Sequence, residues 1–233
     1  MDVGEIVSNS IKYPSSNWGK VLILGVICIA SILIVPIFLV MGYLFRIIKA
    51  TLAGIDELPE FDEIGEMFVD GLKIFVVGII YSIPLLIIYG IMYFITLGMV
   101  TTASYTDVAA VSSAAYGMMA ILWIVIAIVG FIISLFELMA IANMAYYDGE
   151  LGAAFRFNEI LEHISRIGWG KYIITLIVIW IIAGIGYAIG WLTLFILIGF
   201  ILLPLVIMPY IMMFMYRAIA LMVASSLEGE AVE

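Results

Sequence analysis

Residues 20–49 read KVLILGVICIASILIVPIFLVMGYLFRIIK, and the way this stretch is threaded decides the fold. Between Lys20 and Arg46 no side chain is charged. One long helix kinked at Pro36 would place Lys20 and Arg46 on opposite sides of a membrane. Two short helices joined near Pro36 would place them on the same side. The length of Val21–Val35 argues against the hairpin, since it rises only about 22 Å at 1.5 Å per residue, against a hydrocarbon core of about 30 Å. A short or re-entrant hairpin is tolerated where protein covers it or the bilayer thins.

The remaining charges favour the hairpin. Lys and Arg together number 9 in 233 residues, and charged residues make up 12% of the chain, about half the share of a soluble domain. The bases are Lys12, Lys20, Arg46, Lys49, Lys73, Arg156, Arg166, Lys171 and Arg217. Besides Val21–Phe45, the long apolar runs are Ile74–Ile95, Met118–Met144 and Tyr172–Leu221. The last is long enough for two spans, with Gly190–Trp191 as the expected corner. If Val21–Phe45 and Tyr172–Leu221 each fold back and Ile74–Ile95 returns as Met118–Met144, all the bases fall on one side, as the positive-inside bias requires. The pattern therefore predicts an all-α integral membrane protein, 66% hydrophobic, with about six membrane helices in three hairpins and both termini cytoplasmic. A single helix across Pro36 would give five spans instead.

An internal repeat agrees with three units, approximately 1–56, 57–150 and 151–233, in one membrane domain. Phe61-Asp62-Glu63-Ile64-Gly65-Glu66 returns as Phe157-Asn158-Glu159-Ile160-Leu161-Glu162, with Gly4-Glu5-Ile6 as a fainter copy. Trp18-Gly19-Lys20 returns as Trp169-Gly170-Lys171, and Gly71-Leu72-Lys73 holds the middle place. Phe61–Leu72 and Ala153–Ile167 space their apolar residues as amphipathic helices that lie in an interface or pack on the bundle. Leu97–Tyr116, rich in Thr, Ser, Ala and Gly, reads as an extracytoplasmic loop carrying Asp107. The N-terminus has neither the charged start of a signal peptide nor a lipidation motif.

Few residues can carry chemistry. Glu137 stands alone inside an apolar run, where a carboxylate is costly unless paired, protonated or hydrated. Arg46 and Arg217 hold matching places in the other hairpins, so Arg46, Glu137 and Arg217 form a candidate intramembrane charge cluster; the competing reading is an ion or proton site at Glu137. His163 lies beside Glu159 and Glu162 and fits an exposed polar face better than a metal site. Cys28 sits alone in an apolar run. No zincin pair, phosphate-binding loop or nucleophile elbow is present, which points away from an enzyme and from any cofactor. The net charge of −9, with acids interleaved among the bases, disfavours nucleic acid as a partner.

Gly42-Tyr43-Leu44-Phe45-Arg46-Ile47-Ile48-Lys49, Asp56-Glu57-Leu58-Pro59-Glu60-Phe61-Asp62 and Gly65-Glu66-Met67-Phe68-Val69-Asp70-Gly71-Leu72-Lys73, preceded by Tyr13-Pro14-Ser15-Ser16-Asn17-Trp18, resemble a domain of unknown function found in multi-pass membrane proteins, many of them archaeal. The specific part of the resemblance covers about the first 75 residues. It implies an integral membrane protein and supplies no activity or cofactor. It marks Asp56, Glu57, Glu60 and Asp62 as a segment that either docks a partner or caps the following helix. The expected role is a structural, accessory or assembly subunit of the cell membrane, touching lipids and either another membrane protein or a second copy. The alternative is a small ion or solute channel or transporter that uses Glu137.

Overall fold

A computed structural model describes residues 1–103 and 108–227, and the side chains of these except 100, 102–103 and 108–115. Asp107 lies outside the described residues. The described residues contain helices and no strand. The helices are α1 (Val3–Ser15), α2 (Trp18–Ala30), α3 (Val35–Leu52), α4 (Ile64–Ala103), α5 (Val108–Tyr146), α6 (Phe157–Ile167), α7 (Trp169–Thr193), α8 (Gly199–Leu202) and α9 (Met208–Leu227). Among the described residues five segments are long and apolar enough to cross a membrane: Val35–Leu52, Ile64–Met99, Tyr116–Tyr146, Trp169–Thr193 and Gly199–Leu227. A sixth qualifies if α1 and Trp18–Leu33, bent by 80°, count together. The protein is an all-α membrane bundle with five to six such helices.

Two compact units form: the described residues of Met1–Val77 with Leu138–Glu233, and Gly78–Glu137. In the first unit α9 is the hub, packed against α1, α3, α6 and α7. Its residues Met213, Phe214, Ala218, Ile219, Ala220 and Met222 are buried. A core of Tyr43, Ile47, Val21, Leu24, Leu58, Met67 and Met213 fills the space beside it. The helix α1 begins at a capping box, with Asp2 accepting from the Glu5 N–H and Glu5 from the Asp2 N–H, each at 2.8 Å. Its Ile6, Ser10 and Tyr13 face inward. Before the third hairpin, α6 turns Ile160, Ile164 and Ile167 inward and leaves Phe157 and Leu161 exposed.

The close approach of α3 and α4 rests on two glycines. A Cβ on Gly42 would overlap the Met67 carbonyl, and a Cβ on Gly71 would overlap the Phe38 carbonyl. The pairs Phe38/Gly42 and Met67/Gly71 are each one helical turn apart, so each backbone enters a notch in the other. Small residues serve this purpose in membrane helices, where apolar burial alone gives no drive to associate. Phe38 then stacks edge-on against Phe68 and Phe75, at 5.4 Å in both cases.

The first hairpin turns at Ser31–Leu33, a 3-10 turn, and at Ile34, two residues before Pro36. Pro36 lies at the start of α3, where its missing N–H has no intrahelical partner to lose. The third hairpin turns after Thr193, several residues beyond the expected Gly190–Trp191 corner. Gly186 and Gly190 do not break α7, because they are packing sites that receive Ile211 and Leu203. The expected amphipathic helix Phe61–Leu72 is the first part of α4, which begins at Ile64 and runs unbroken into the apolar stretch. Chain breaks occur before Trp18-Gly19-Lys20, at Asn17, which caps α2, and before Trp169-Gly170-Lys171, at Gly168 with φ 88°. Before Gly71-Leu72-Lys73, Asp70 carries the helix through, ion-paired to Lys73 one turn on.

In the second unit α4 and α5 lie side by side: Leu85 against Gly130, and Tyr89 edge-on to Trp123 at 6.3 Å. Most of Leu97–Tyr116 is helical rather than loop, reaching Ala103 on one side and starting from Val108 on the other. Of the threonines that suggested a loop, Thr101 turns its hydroxyl back on the helix and donates to the Gly98 carbonyl at 2.8 Å, as Thr96 just before the segment does to the Met92 carbonyl.

Candidate functional site

The acidic segment Asp56–Asp62 follows α3. The helix ends in a Schellman turn: the Ile55 N–H donates to the Ala50 carbonyl at 2.9 Å, the Gly54 N–H to the Thr51 carbonyl at 3.0 Å, and Gly54 has φ 75°. The loop that follows is tied to the first unit at nearly every residue. Tyr13 OH donates to the Glu57 carbonyl at 3.1 Å, Lys20 Nζ to the Leu58 carbonyl at 2.6 Å, and Tyr43 OH to the Pro59 carbonyl at 3.1 Å. Lys20 Nζ also meets the Glu60 carboxylate at 2.8 Å. The Phe61 ring stacks flat on Tyr43 at 3.9 Å. Arg46 donates to Asp62 Oδ1 at 2.8 Å and to the Asp62 carbonyl at 2.9 Å, and lies 3.6 Å from the Glu63 carboxylate.

Arg217 closes the loop from the other side. It is 1% exposed. Its guanidinium donates to Asn9 Oδ1 at 3.2 Å, to Thr51 Oγ1 and the Ile55 carbonyl at 3.0 Å each, and to the Asp56 carboxylate. It also stacks over the Tyr13 ring, 4.6 Å from the centroid. One side chain on α9 thus joins α1, α3 and the acidic loop. A buried arginine needs this many partners, because removing a charge from water costs several kcal/mol unless its donors are satisfied.

A second charged group lies nearby. Asp70 is buried, 3.1 Å from Lys73 Nζ and 3.9 Å from Lys49 Nζ. Lys49 in turn meets Asp148 at 2.7 Å. Asp148 and Gly149 form another Schellman turn, at the end of α5: the Gly149 N–H donates to the Met144 carbonyl at 2.8 Å, and Asp148 takes the left-handed conformation with φ 51°. Lys49 holds the exposed Asp148 carboxyl below its ordinary range, through the hydrogen bond first and the charge second. A lowered folded-state pKa means that its contribution is complete above the ordinary value of about 3.9 and fades as pH falls through the folded value. Asp148→Asn is therefore expected to lower stability slightly at neutral pH, by a difference that shrinks as pH falls below the ordinary carboxylate range, checked by melting temperature against pH.

Within the first unit Arg46 and Arg217 each take a carboxylate from the acidic loop, Asp62 and Asp56 respectively. Those carboxylates are 67% and 82% exposed, so pairing there avoids desolvating a second charge. Glu137 belongs to the second unit. Glu137 is half-buried on α5, and a Cβ on Gly78 would lie 3.4 Å from its Oε1. Glu137→Gln is accordingly expected to change stability by less than about 1 kcal/mol, read as the melting temperature in detergent. In the acidic segment Asp56, Glu60 and Asp62 are ion-paired within the fold, and the Glu57 carbonyl is bonded while its side chain is exposed. His163 is half-buried, with its ring 6.4 Å from that of Tyr146. Among the described residues no group of three His, Cys, Asp or Glu is placed to hold a metal ion.

A family model described as Protein of unknown function (DUF4013) matches residues 27–195. The chain belongs to the DUF4013 family. The DUF4013 match extends well beyond the first 75 residues that carried the resemblance. It takes in Arg46, the acidic loop, Asp70 and Glu137, and it ends before Arg217. Neither a curated protein nor a solved structure matches the chain.

Sequence reasoning missed Asp70, Asn9, Tyr13 and the Gly42/Gly71 notch in this DUF4013 chain. Asp70 and Lys73, three residues apart, were legible as a helical ion pair. The role of Gly42 and Gly71 was not, because glycine in a membrane helix marks packing, a kink or neither until its neighbour is known.

Proposed function

We propose that this DUF4013 protein is a non-enzymatic structural or accessory subunit of the cell membrane, with both termini cytoplasmic, that packs against lipids and against other membrane proteins or a second copy. One observation carries the reading. Lys20, Arg46, Lys49 and Arg217 are committed to acids of the chain itself, while large apolar and aromatic side chains along the helices, including Tyr93, Phe94, Trp123, Ile181 and Phe195, remain exposed. Its charges hold it together, and its outward chemistry is apolar contact.

A channel or transporter is the second reading. It is favoured by the half-buried Glu137 on a segment apolar enough to span. One experiment separates the two. Photo-crosslinking residues at Tyr93 and Phe195 are introduced in native membranes, and cation and proton flux is measured in proteoliposomes with and without Glu137→Gln. A discrete, stoichiometric adduct with no Glu137-dependent flux is the expected result. Flux abolished by Glu137→Gln, with no discrete adduct, would establish the channel instead.

A further inference from the structure

We infer that the first hairpin, α2 and α3, does not cross the bilayer: its tip, Ile32–Val35, is seated in the hydrocarbon and contacts acyl chains. The argument starts from where the two arms are anchored. Lys20 at the head of α2 and Arg46 on α3 both bind the acidic loop, whose Glu60 and Asp62 side chains are 73% and 67% exposed. Trp18 packs on Tyr210 at the same end, where an aromatic pair suits the headgroup level. These contacts fix one end of the hairpin at the aqueous boundary.

Val35–Leu52 taken whole is long enough to span, but Arg46 is anchored well inside it, and measured from the anchors Lys20 and Arg46 the arms are too short to reach the other boundary. From Lys20 to Ala30 the helix rises about 15 Å, and the 3-10 turn adds about 6 Å. From Arg46 back to Val35 the rise is about 17 Å. An upright hairpin thus ends roughly 10 Å short of the far side of a core about 30 Å thick, and any tilt shortens it further.

The tip is built for that depth. Ile32, Leu33, Ile34 and Val35 are 85%, 74%, 67% and 59% exposed. The only polar side chain there, Ser31, donates its hydroxyl to the Ile27 carbonyl at 2.9 Å. An open loop is excluded from hydrocarbon because its N–H and C=O groups find no partner. This turn has almost no open loop. The Ile34 N–H donates to Ser31 at 2.9 Å, the Ile37 N–H donates to Ile34 at 3.0 Å, and Pro36 has no N–H to satisfy. A single residue, Ile34, leaves helical geometry. It does so at φ 67° and ψ −55°, in a region that a β-branched residue adopts only under strain. Glycine would relieve that strain at a tip in water; an isoleucine there fits a tip surrounded by lipid.

The test places single cysteines at Ile32 and Leu33 on a Cys28→Ser background, at positions exposed enough that packing is undisturbed. The purified protein is reconstituted into liposomes. Thiol labelling by a membrane-impermeant maleimide is measured from each side. The quenching of a bimane on the same cysteine is compared for lipids bearing a nitroxide near the chain terminus and for lipids bearing it near the headgroup. Loss of impermeant labelling from both sides, with stronger quenching by the chain-terminal nitroxide, is the expected result. Labelling from the side opposite the acidic loop would overturn the inference by showing that the hairpin spans. Protection without lipid quenching would overturn it by showing that protein covers the tip.

Discussion

Arg217→Ala is expected to destabilise the protein by about 3–5 kcal/mol, the range for breaking a buried charged network by removing one member. The change removes the ion pair with Asp56 and leaves Asn9 Oδ1, the Ile55 carbonyl and the face of Tyr13 without their cation. It also opens a cavity in α9 where the side chain had filled the space between α1 and α3. Arg217→Lys restores the charge but not the planar fork that reaches Thr51, Ile55 and Asp56 together, so it should recover only part of the loss. The measurement is thermal unfolding of the purified protein in detergent. A neutral effect of Arg217→Ala would mean that the guanidinium is a passenger and the loop is held by its other ties.

Gly71→Ala is expected to cost about 3 kcal/mol, the upper part of the range for forcing extra volume into a packed site. The new methyl meets the Phe38 carbonyl, a backbone atom that cannot rotate away. The helices must move apart, which also withdraws Gly42 from Met67 and Phe38 from Phe68 and Phe75. Gly65→Ala on the same helix is the control. A Cβ there meets nothing within 4 Å, so the change should be neutral or stabilising by up to about 1 kcal/mol through helix propensity. Melting temperatures of the two variants against wild type decide the matter, and equal effects would show that the α3–α4 approach contributes little.

The all-α membrane class was legible from the sparse charges and the apolar runs between them, because charge and hydropathy act locally and leave a linear trace. Hairpin corners were only partly legible. Pro36 placed the first within two residues, since proline acts on its own backbone. Gly190 misplaced the third, since its role depends on Leu203, a neighbour that the linear pattern does not reveal. The same limit applies to the charges. Arg46 and Asp62 are close in sequence, and their loop could be seen to be acidic, but Arg217 and Asp56 lie 161 residues apart and nothing local links them. The fold pairs both arginines with exposed acids of that loop. Asp70 falls off the apolar face of Phe61–Leu72, yet it is buried between two lysines, one of them brought in by α3.

The central claim is that the acidic loop belongs to the fold as a clasp closed by its own cations. A double-mutant cycle on Asp56→Asn and Arg217→Met, read by unfolding in detergent, tests it most directly. The claim predicts a coupling energy of about 1.5 kcal/mol between the two positions, the lower end found for close charge pairs, because the Asp56 carboxylate stays exposed. Effects that add to within about 0.5 kcal/mol would mean that the two residues act independently, and the clasp would be contradicted.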